Sequence, residues 1–483
     1  MTAVTAPLLQ RLDSFPYRFR VREAMSAPLV TALPDATLRD LIRRMDSDAV
    51  SSVLIVDPQG APAGIVTERD VLRLIARQGA SALDMAAGAV MSTPVQAVPG
   101  DAFLYAALGR MARLGLRHLL VTGPDGRPSG MVTARRLLRQ RAGDALLLGD
   151  AIAGADDAEA LAAARRKLPA LAAELLTDRV TAGEIAAVIG GAIRDLTGRA
   201  ALLAAAEMSA AGRGPAPAPW SCLVLGSAGR GESLLAADQD NALVHAGAAA
   251  DDVWFAPFTE RLCALLEAAD VPSCRGGVMA SRAAWRRSLE DWRGAIHSWA
   301  SQGEGQGLLN VDIFYDFAPV AGEHRLAVAL RETALEIART SRLPQQLAAQ
   351  LADFRPPLGL FGRLPSRERR LDLKLSGLYP LVAGARAIAL RSGWPETSTQ
   401  ERLARAAAAG ILGEEDLLYY RDAHELFLRL LLEQQLIDIE AGLQPGPLVD
   451  LGRLSRATRR MLREALQIAG LITYTVRDAV AAG

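Results

Sequence analysis

The stretch Trp220–Ala246, WSCLVLGSAGRGESLLAADQDNALVHA, decides how the middle of this 483-residue chain folds. Its apolar run Cys222–Leu225 predicts a β-strand that ends at the turn Gly226–Ser227. A second apolar strand follows and carries Asp238 and Asp240, which project from one face because they are two residues apart. Two carboxylates at this spacing, close to a Gly-Ser turn, can hold a divalent cation against a polyphosphate.

Three phosphate-binding motifs could use the glycines of this stretch, and the sequence excludes two of them. A Walker A loop needs Lys and then Ser or Thr after its last glycine, where this chain has Glu232. A dinucleotide fingerprint needs Gly-x-Gly-x-x-Gly, and Gly226, Gly229 and Gly231 are spaced differently. The third pattern is Gly-Ser, ten residues and Asp-x-Asp. On this pattern the segment resembles the polymerase-β-like nucleotidyltransferase superfamily.

The longer motif GSAGRGES…DQDNALV is similar to the family related to PII uridylyltransferase, whose members also occur with CBS (cystathionine β-synthase) domain tandems. The segments CRGGVMA (274–280) and NVDIFYDF (310–317) fit the same family. The resemblance implies a nucleoside triphosphate substrate and a catalytic Mg²⁺ or Mn²⁺ bound by Asp238 and Asp240. The nucleotide-binding residues that it implies are Gly226, Ser227, Arg230 and Lys374.

A third carboxylate is expected to complete the metal site and take part in catalysis. Asp312 and Asp316 are four residues apart in an apolar run that predicts a strand, so both would lie on one face. The resemblance favours Asp316, and Ala318 replaces an arginine of the family pattern. Arg230 has two interpretations, a contact with phosphate or a structural salt bridge to Glu232.

The N-terminal region contains one pattern twice. Each copy opens with Met-Ser-x-Pro, at Met25–Pro28 and at Met91–Pro94, and continues with an amphipathic helix, two short strands and a closing helix. A spacing of about 66 residues is too long for a solenoid unit. The two copies resemble a CBS domain tandem, in which the apolar faces of the two repeats should pack on each other.

The resemblance implies an adenine nucleotide between the repeats, held by a Thr or Ser and an Asp three residues later. The first copy has Thr67 and Asp70, whereas the second has Thr133 followed by Arg136. Arginine cannot accept hydrogen bonds from a ribose, so at most one conventional adenosine site is expected. The alternative is that Thr67 and Asp70 only cap the closing helix. CBS tandems often associate in pairs, which implies a homodimer.

Composition excludes several classes of protein. Lys and Arg together number 54, as do Asp and Glu, so no overall charge attracts nucleic acid or an anionic membrane. Three cysteines are too few for a disulfide framework. Without a long apolar run or a signal core, a cytoplasmic protein with no membrane contact is expected.

The predicted fold class is multidomain α/β plus α: a CBS tandem, a polymerase-β-like mixed-sheet domain and a C-terminal helical bundle. Amphipathic periodicity in 142–219 and from about residue 340 onward predicts helices. The predicted parts are an N-terminal extension (1–20), the CBS pair (21–141), a helical region packing on the transferase domain (142–219), the nucleotidyltransferase-like domain (220–335) and a helical substrate-binding domain (336–483).

Other residues have simpler interpretations. Trp285, Trp292 and Trp299 are spaced by seven and predict a core stripe along a helix. Cys274 is interpreted as a small buried residue, and His245 as a surface residue rather than a catalytic one. Arg386, like Lys374, lies either in the nucleotide cleft or on a solvated helix face.

The leading hypothesis is a CBS-regulated, metal-dependent nucleotidyltransferase of the uridylyltransferase or adenylyltransferase kind. Its acceptor would be a hydroxyl of a PII-like protein or of a small molecule. The alternative is a catalytically inactive nucleotide-binding module for signal transduction, which senses adenine nucleotides. Ala318 and Arg136 favour the alternative, whereas the carboxylate pair favours an enzyme, since two adjacent buried charges are costly without a ligand.

Overall fold

The computed structural model describes residues 20–102, 104–133, 148–302, 311–359, 362–365 and 370–481. The chain divides into two compact units, Met1–Leu146 and Leu147–Gly483. Within the described residues, no helix combines the length and the apolar character that crossing a membrane requires. Arg136 lies outside the described residues.

The first unit contains two copies of one α/β arrangement, each with a three-stranded sheet. In both sheets the first two strands run parallel and the last two form an antiparallel hairpin. The elements are α1 (Val21–Ala24), β1 (Thr31–Ala32), α2 (Leu38–Ser47), β2 (Ser52–Val56), β3 (Pro62–Thr67), α3 (Glu68–Gln78), α4 (Ala87–Val90), β4 (Ala97–Pro99), α5 (Leu104–Leu114), β5 (His118–Thr122) and β6 (Pro128–Thr133).

The two copies exchange their opening segments. Ser26, which precedes the first sheet, pairs with Met131 in β6 of the second copy. Ser92, which precedes the second sheet, pairs with Ile65 in β3 of the first copy. A shared core of Leu54, Leu120 and Met131 lies between the sheets. The predicted packing of the two repeats on each other is therefore confirmed.

The second unit contains one mixed sheet surrounded by helices, followed by a helical region. Its elements are α6 (Ala158–Arg165), α7 (Leu168–Thr177), α8 (Ala182–Met208), β7 (Trp220–Val224), α9 (Gly226–Arg230), β8 (Asn241–His245), α10 (Asp252–Ala268), β9 (Arg286–Ser288), α11 (Leu289–Gln302), β10 (Ala318–Gly322), α12 (His324–Thr340), α13 (Leu343–Ala352), β11 (Arg370–Asp372), α14 (Tyr379–Ser392), α15 (Thr399–Ala408), α16 (Glu414–Glu440), β12 (Leu448–Asp450) and α17 (Arg456–Ala481).

The mixed sheet has the strand order β10-β7-β8-β9, in which only β8 and β9 run parallel. Beneath it, Trp285, Trp292 and Trp299 lie in one buried cluster with ring centroids 6.0–6.1 Å apart. Trp285 precedes β9, whereas the other two belong to α11. The three rings are core residues as predicted, but they do not form a stripe on a single helix.

Candidate functional site

The chain passes very close to Asp240 where it leaves β7. Gly226 has φ +58°, and a Cβ at this position would lie 3.1 Å from Asp240 Oδ2. The neighbouring Leu225 amide donates to the carbonyl of Asp240 at 2.9 Å. Glycine adopts this conformation without strain and has no Cβ to approach the carboxylate. The expected proximity of the Gly-Ser turn and the acidic pair is therefore present.

Asp238 and Asp240 lie just before β8 rather than within it. The residue between them, Gln239, is buried and donates through Nε2 to the carbonyls of Cys263 at 3.1 Å and Val271 at 2.9 Å. This anchor leaves the two flanking carboxylates close together. Ligand atoms of Asp238, Asp240 and Cys274 all lie within 4.8 Å of one another.

The carboxylate of Asp240 carries an unfavourable charge. Burial, together with the negative charge of Asp238, raises its pKa to about 6. Its Oδ1 is sealed from solvent and accepts no hydrogen bond from the described residues. A buried, unpartnered carboxylate oxygen beside a second carboxylate fits a divalent cation, which would supply the missing charge. The donors present therefore suit the Mg²⁺ or Mn²⁺ that the family resemblance implies.

Two further predicted nucleotide-binding residues lie near this pair. Lys374 is exposed, and its positive charge partly opposes the rise in the pKa of Asp240 that burial and Asp238 cause. The hydroxyl of Ser227 lies 3.0 Å from the hydroxyl of Ser233, and either can donate. The predicted contacts of Ser227 and Lys374 with phosphate stay predictions.

The segment with Asp312 and Asp316 does not form the predicted strand. Residues 311–314 are helical, and the strand starts only at Ala318. Both carboxylates nevertheless face the same side, because Arg386 pairs with each of them. Asp316 does not belong to the ligand group of Asp238, Asp240 and Cys274.

Asp316 is instead surrounded by three arginines. Its Oδ2 accepts from Arg230 Nη1 at 2.8 Å and from Arg386 Nη2 at 2.6 Å, and its Oδ1 pairs with Arg402 Nη2 at 2.7 Å. Burial alone would raise the pKa of this carboxyl, but the three guanidinium groups together hold it well below its usual range. Asp316 is therefore ionised and its charge is compensated by three guanidinium groups, although its Oδ1 forms only an ion pair with Arg402 and no hydrogen bond among the described residues.

The same cluster contains two more carboxylates. Glu232 accepts from Arg230 Nε at 2.7 Å and from the amide of Thr399 at 2.6 Å. These bonds connect the turn after α9 to the start of α15. Arg386 Nη1 donates to Asp312 Oδ1 at 2.5 Å. We refer to these groups as the arginine–carboxylate cluster, which comprises Arg230, Glu232, Asp312, Asp316, Arg386 and Arg402.

The cluster decides between several interpretations of the sequence. Arg230 forms the structural salt bridge to Glu232 rather than an open phosphate contact, and Arg386 is buried rather than solvated. His245 is also buried and stacks on Phe255 with ring centroids 4.3 Å apart, so it is not a surface residue. The sequence analysis missed Arg402, which carries no local motif and reaches the cluster only through the packing of α15.

In the first unit, Thr67 and Asp70 form a capping box at the start of α3. Thr67 Oγ1 donates to Asp70 Oδ2 at 2.7 Å, and the Thr67 amide donates to the same oxygen at 3.0 Å. His118 of the second repeat lies 2.9 Å from the Ser51 hydroxyl of the first. Burial lowers the pKa of His118, and the nearby Glu68 and Asp70 partly oppose this. Thr133 is the register partner of His118, so groups from both repeats meet here.

Comparison with family models covers most of the chain. Residues 21–77 and 87–143 match the CBS domain. Residues 166–306 match the family described as "Putative nucleotidyltransferase DUF294", and residues 341–478 match its "Putative nucleotidyltransferase substrate binding domain".

Similar individual proteins match about a quarter of the chain. The uncharacterized protein MK0525 of Methanopyrus kandleri is 30% identical over 25% of this chain and 61% of its own length. The arabinose 5-phosphate isomerase KpsF of Escherichia coli O6:H1 is 27% identical over 23% of this chain and 34% of its own length. The chain therefore spans less than two thirds of either relative.

Solved structures give matches of the same extent. The CBS-domain protein ATU1752 of Agrobacterium tumefaciens is 23% identical, with a TM-score of 0.24, over 25% of this chain and 92% of that one. The CBS domain protein PAE2072 of Pyrobaculum aerophilum, solved in complex with AMP, is 26% identical with the same TM-score, over 26% of this chain and 94% of that one. By its family matches, this chain belongs to the DUF294 family and combines a pair of CBS domains with the DUF294 domain and the C-terminal domain that accompanies it.

Proposed function

We propose that the protein transfers a nucleoside monophosphate from a nucleoside triphosphate to a hydroxyl group, with a divalent cation held by Asp238 and Asp240. The observation that carries this proposal is the sealed, unpartnered Oδ1 of Asp240 beside a second carboxylate and a glycine that keeps the approach clear. Mg²⁺ or Mn²⁺ bound there would neutralise phosphate charge and polarise the reacting phosphorus.

The protein groups around the pair have separate tasks in this proposal. Gly226 allows the polyphosphate to approach the backbone, since a side chain there would press on Asp240. The hydroxyl of Ser227 exchanges its contact with Ser233 for a phosphate oxygen. Lys374 is an exposed cation and pairs with the phosphates that leave. These groups orient the triphosphate for in-line attack by the acceptor hydroxyl.

We assign Asp316 a positioning role in place of the catalytic role expected from the sequence. Three arginines occupy its carboxylate, and it lies outside the ligand group at Asp240. Because Arg386 and Arg402 belong to α14 and α15, the pairing holds the helical region against the loop after β7. Arg230 is likewise proposed to stabilise this loop rather than to bind phosphate.

The CBS pair is proposed to bind an adenine nucleotide and to regulate transfer. Thr67, Asp70 and Thr133 supply hydroxyl and carboxylate groups suited to a ribose, and His118 lies among them. While it donates to Asp70, the Thr67 hydroxyl can still accept a hydrogen bond from a ribose hydroxyl. A homodimer formed through the CBS domains and a PII-like acceptor protein complete the proposal, with a small-molecule acceptor as the alternative.

A non-catalytic nucleotide-binding module remains the second candidate, and one observation favours it. Asp316, the carboxylate expected to join the metal pair, is fully engaged with arginines. Two carboxylates can hold one cation and a nucleotide, but a second ion needs further ligands. Such a protein would bind the triphosphate as a signal and would not transfer a nucleoside monophosphate.

Transfer of label separates the two candidates. The purified protein is incubated with cell lysate, Mg²⁺ and nucleoside triphosphates labelled at either the α- or the γ-phosphate. Nucleotidyl transfer attaches only the α-label to an acceptor. The variant Asp238→Asn/Asp240→Asn should lose transfer, whereas the exposed pair Glu414→Gln/Asp416→Asn, with the same spacing on α16, should retain it. Absence of α-label transfer by the wild type, with triphosphate binding intact, would establish the non-catalytic candidate.

A further inference from the structure

A chain of hydrogen bonds leads from the surface of the helical region towards the arginine–carboxylate cluster. It begins at Arg421, an exposed residue of α16 whose Nε donates to Oε1 of Gln400 on α15 at 2.9 Å. Nε2 of the same Gln400 amide lies 2.9 Å from Nδ1 of His424, which also belongs to α16. His424 is almost completely buried, with 1% of its surface exposed. The three side chains therefore connect the surface with a sealed histidine.

This chain decides which nitrogen of His424 carries the proton. Arginine has no acceptor, so Oε1 of Gln400 must face Arg421 and the NH₂ group of the amide must face the histidine. Nδ1 of His424 can then only accept a hydrogen bond. A neutral imidazole has one proton, which is therefore on the other nitrogen, Nε2. The hydrogen bonds thus select the Nε2–H tautomer.

The groups around His424 favour the neutral ring. Burial lowers its pKa; the negative charges of Glu232 and Glu425 oppose this shift, and the positive charge of Arg230 adds to it. The carboxylate of Glu425 is already engaged, because it accepts from two amides at the start of α8. A second proton, on Nδ1, would also meet the NH₂ group of Gln400, which is itself a donor. The ring therefore carries a single proton at neutral pH.

The protonated nitrogen lies close to Glu232. Nε2 of His424 is 4.0 Å from Glu232 Oε2, and among the described residues it has no hydrogen-bond partner. This separation is too long for a hydrogen bond, but in a sealed interior the N–H dipole still attracts the carboxylate. The Glu232 amide in turn donates to the carbonyl of Ser227 at 2.8 Å, and its side chain accepts from Thr399 Oγ1 at 3.0 Å. The histidine therefore acts on a residue that shapes the turn at Ser227.

We propose that His424 is a positioning residue for the turn at Ser227. Its neutral Nε2–H tautomer, which Gln400 and Arg421 select, holds the carboxylate of Glu232 in place. The other tautomer would present a nitrogen lone pair to this carboxylate, and the repulsion would loosen the turn. Because the turn belongs to the proposed triphosphate site, the effect on binding rests on the proposed function, whereas the tautomer does not.

NMR of the full chain labelled with ¹⁵N at histidine tests the tautomer. The signals of His424, assigned by their loss in His424→Gln, should show the Nε2–H form and stay unchanged from about pH 6 to pH 8. Arg421→Met frees the Gln400 amide to rotate, so a mixture of both neutral tautomers should appear. Arg429→Met, which removes another exposed arginine of α16, should leave the pattern unchanged.

Two substitutions at His424 distinguish its two nitrogens. The amide of glutamine extends far enough to replace the Nε2 donor, whereas the shorter asparagine replaces only Nδ1. His424→Gln should therefore keep the Glu232 amide protected from hydrogen exchange, and His424→Asn should speed its exchange. ATP and UTP, each with Mg²⁺, should bind about two- to tenfold more weakly to His424→Asn, as expected for loss of one polar interaction. Far-ultraviolet circular dichroism verifies folding, and Arg421→Met provides the same measurements if His424→Asn does not fold.

The outcomes separate this inference from the proposed function. An Nδ1–H or doubly protonated ring in the wild type overturns the inference even if α-label transfer occurs, and so does an unchanged tautomer in Arg421→Met. Equal exchange of the Glu232 amide in His424→Gln and His424→Asn overturns the positioning role. The expected tautomer and exchange pattern, in a protein that transfers no label, supports the positioning role and rejects the enzyme.

Discussion

Asp240, which is partly buried, and Asp316, which is fully buried, are two carboxylates of one folded unit in opposite electrostatic environments. Asp240 faces a second carboxylate, and burial together with that charge raises its pKa to about 6. Asp316 is even more deeply buried, yet three arginines hold its pKa well below the usual range. A carboxylate that faces another negative charge is suited to a cationic ligand, whereas one whose charge three arginines compensate has a structural role. Burial alone does not distinguish the two.

The largest effect on stability is expected from Asp316→Asn, which leaves three buried guanidinium groups without their shared counter-ion. Removing one partner of a buried ion pair costs about 3–5 kcal/mol, and the loss should be at least of this size here. Chemical denaturation measures it. If Asp316→Asn changes the free energy of unfolding by less than about 1 kcal/mol but abolishes nucleotide transfer, Asp316 is a catalytic group. The contrast between Asp240 and Asp316 would then be wrong.

Two glycines of α9 allow the two environments to be perturbed separately. A Cβ at Gly229 would lie 1.7 Å from the carbonyl oxygen of Asp316, so Gly229→Ala forces the backbone apart. We expect a cost of about 1–3 kcal/mol or more from this overpacking.

Gly226→Ala is the matched substitution next to Asp240. The atom nearest to the new Cβ is a carboxylate oxygen of Asp240, which belongs to a flexible side chain. The strained positive φ should cost about 1 kcal/mol, and triphosphate binding should be lost. Denaturant unfolding and nucleotide titration of both variants provide the measurement. If Gly226→Ala binds nucleotide normally, the close approach at Asp240 has no functional meaning.

The unfavourable charge of Asp240 predicts a pH dependence. Its folded pKa of about 6 lies above the ordinary value of 3.8, so the folded state binds more protons than the unfolded state between these values. Without metal, its contribution to stability is present at low pH and is lost as the pH rises through about 4–6. Asp240→Asn should therefore stabilise the metal-free protein by about 1–3 kcal/mol at neutral pH.

Unfolding followed from about pH 4 to pH 8 tests this prediction, because the decline in stability should be smaller in Asp240→Asn. Addition of a divalent cation should stabilise the wild type at neutral pH and leave Asp240→Asn less affected. Equal pH profiles for the two proteins would mean that the charge of Asp240 is already compensated.

The smallest effect on stability is expected from Lys374→Gln. This exposed cation has no ion-pair partner within 4.0 Å among the described residues, so its loss should change stability by no more than about 0.5 kcal/mol. Triphosphate affinity should nevertheless fall, because a cation near the phosphates is removed. Isothermal titration measures the affinity, with the exposed Lys167→Gln as the control. Equal affinity in both variants would remove Lys374 from the site.

The sequence could predict the carboxylate pair because its determinants are local. Gly226, Asp238 and Asp240 lie within one strand–turn–strand segment, and the family motif covers all three. The arginine–carboxylate cluster could not be derived in this way, since Glu232 and Thr399 meet only through tertiary packing. The helical turn at 311–314 was wrongly predicted as a strand because a short apolar run suits either structure when buried.

Cys274 shows a further limit. Its motif was matched to the family, but the sequence does not reveal that its loop lies over Asp240, because this depends on pairing with Gln239. For Thr67 and Asp70, by contrast, the sequence did predict the local structure. The sequence offered both a helix cap and a ligand site, and the cap is formed, with the same two side chains available to a ribose.

The exchange of opening segments in the CBS pair makes each repeat incomplete by itself. An isolated first repeat would keep Ser26 but lose its partner Met131, and the edge of β3 at Ile65 would be left without Ser92. A free strand edge of this kind invites pairing with another chain. The two repeats should therefore fold together as one unit: a fragment cut between them should recover its missing strand contacts only by associating with a second copy.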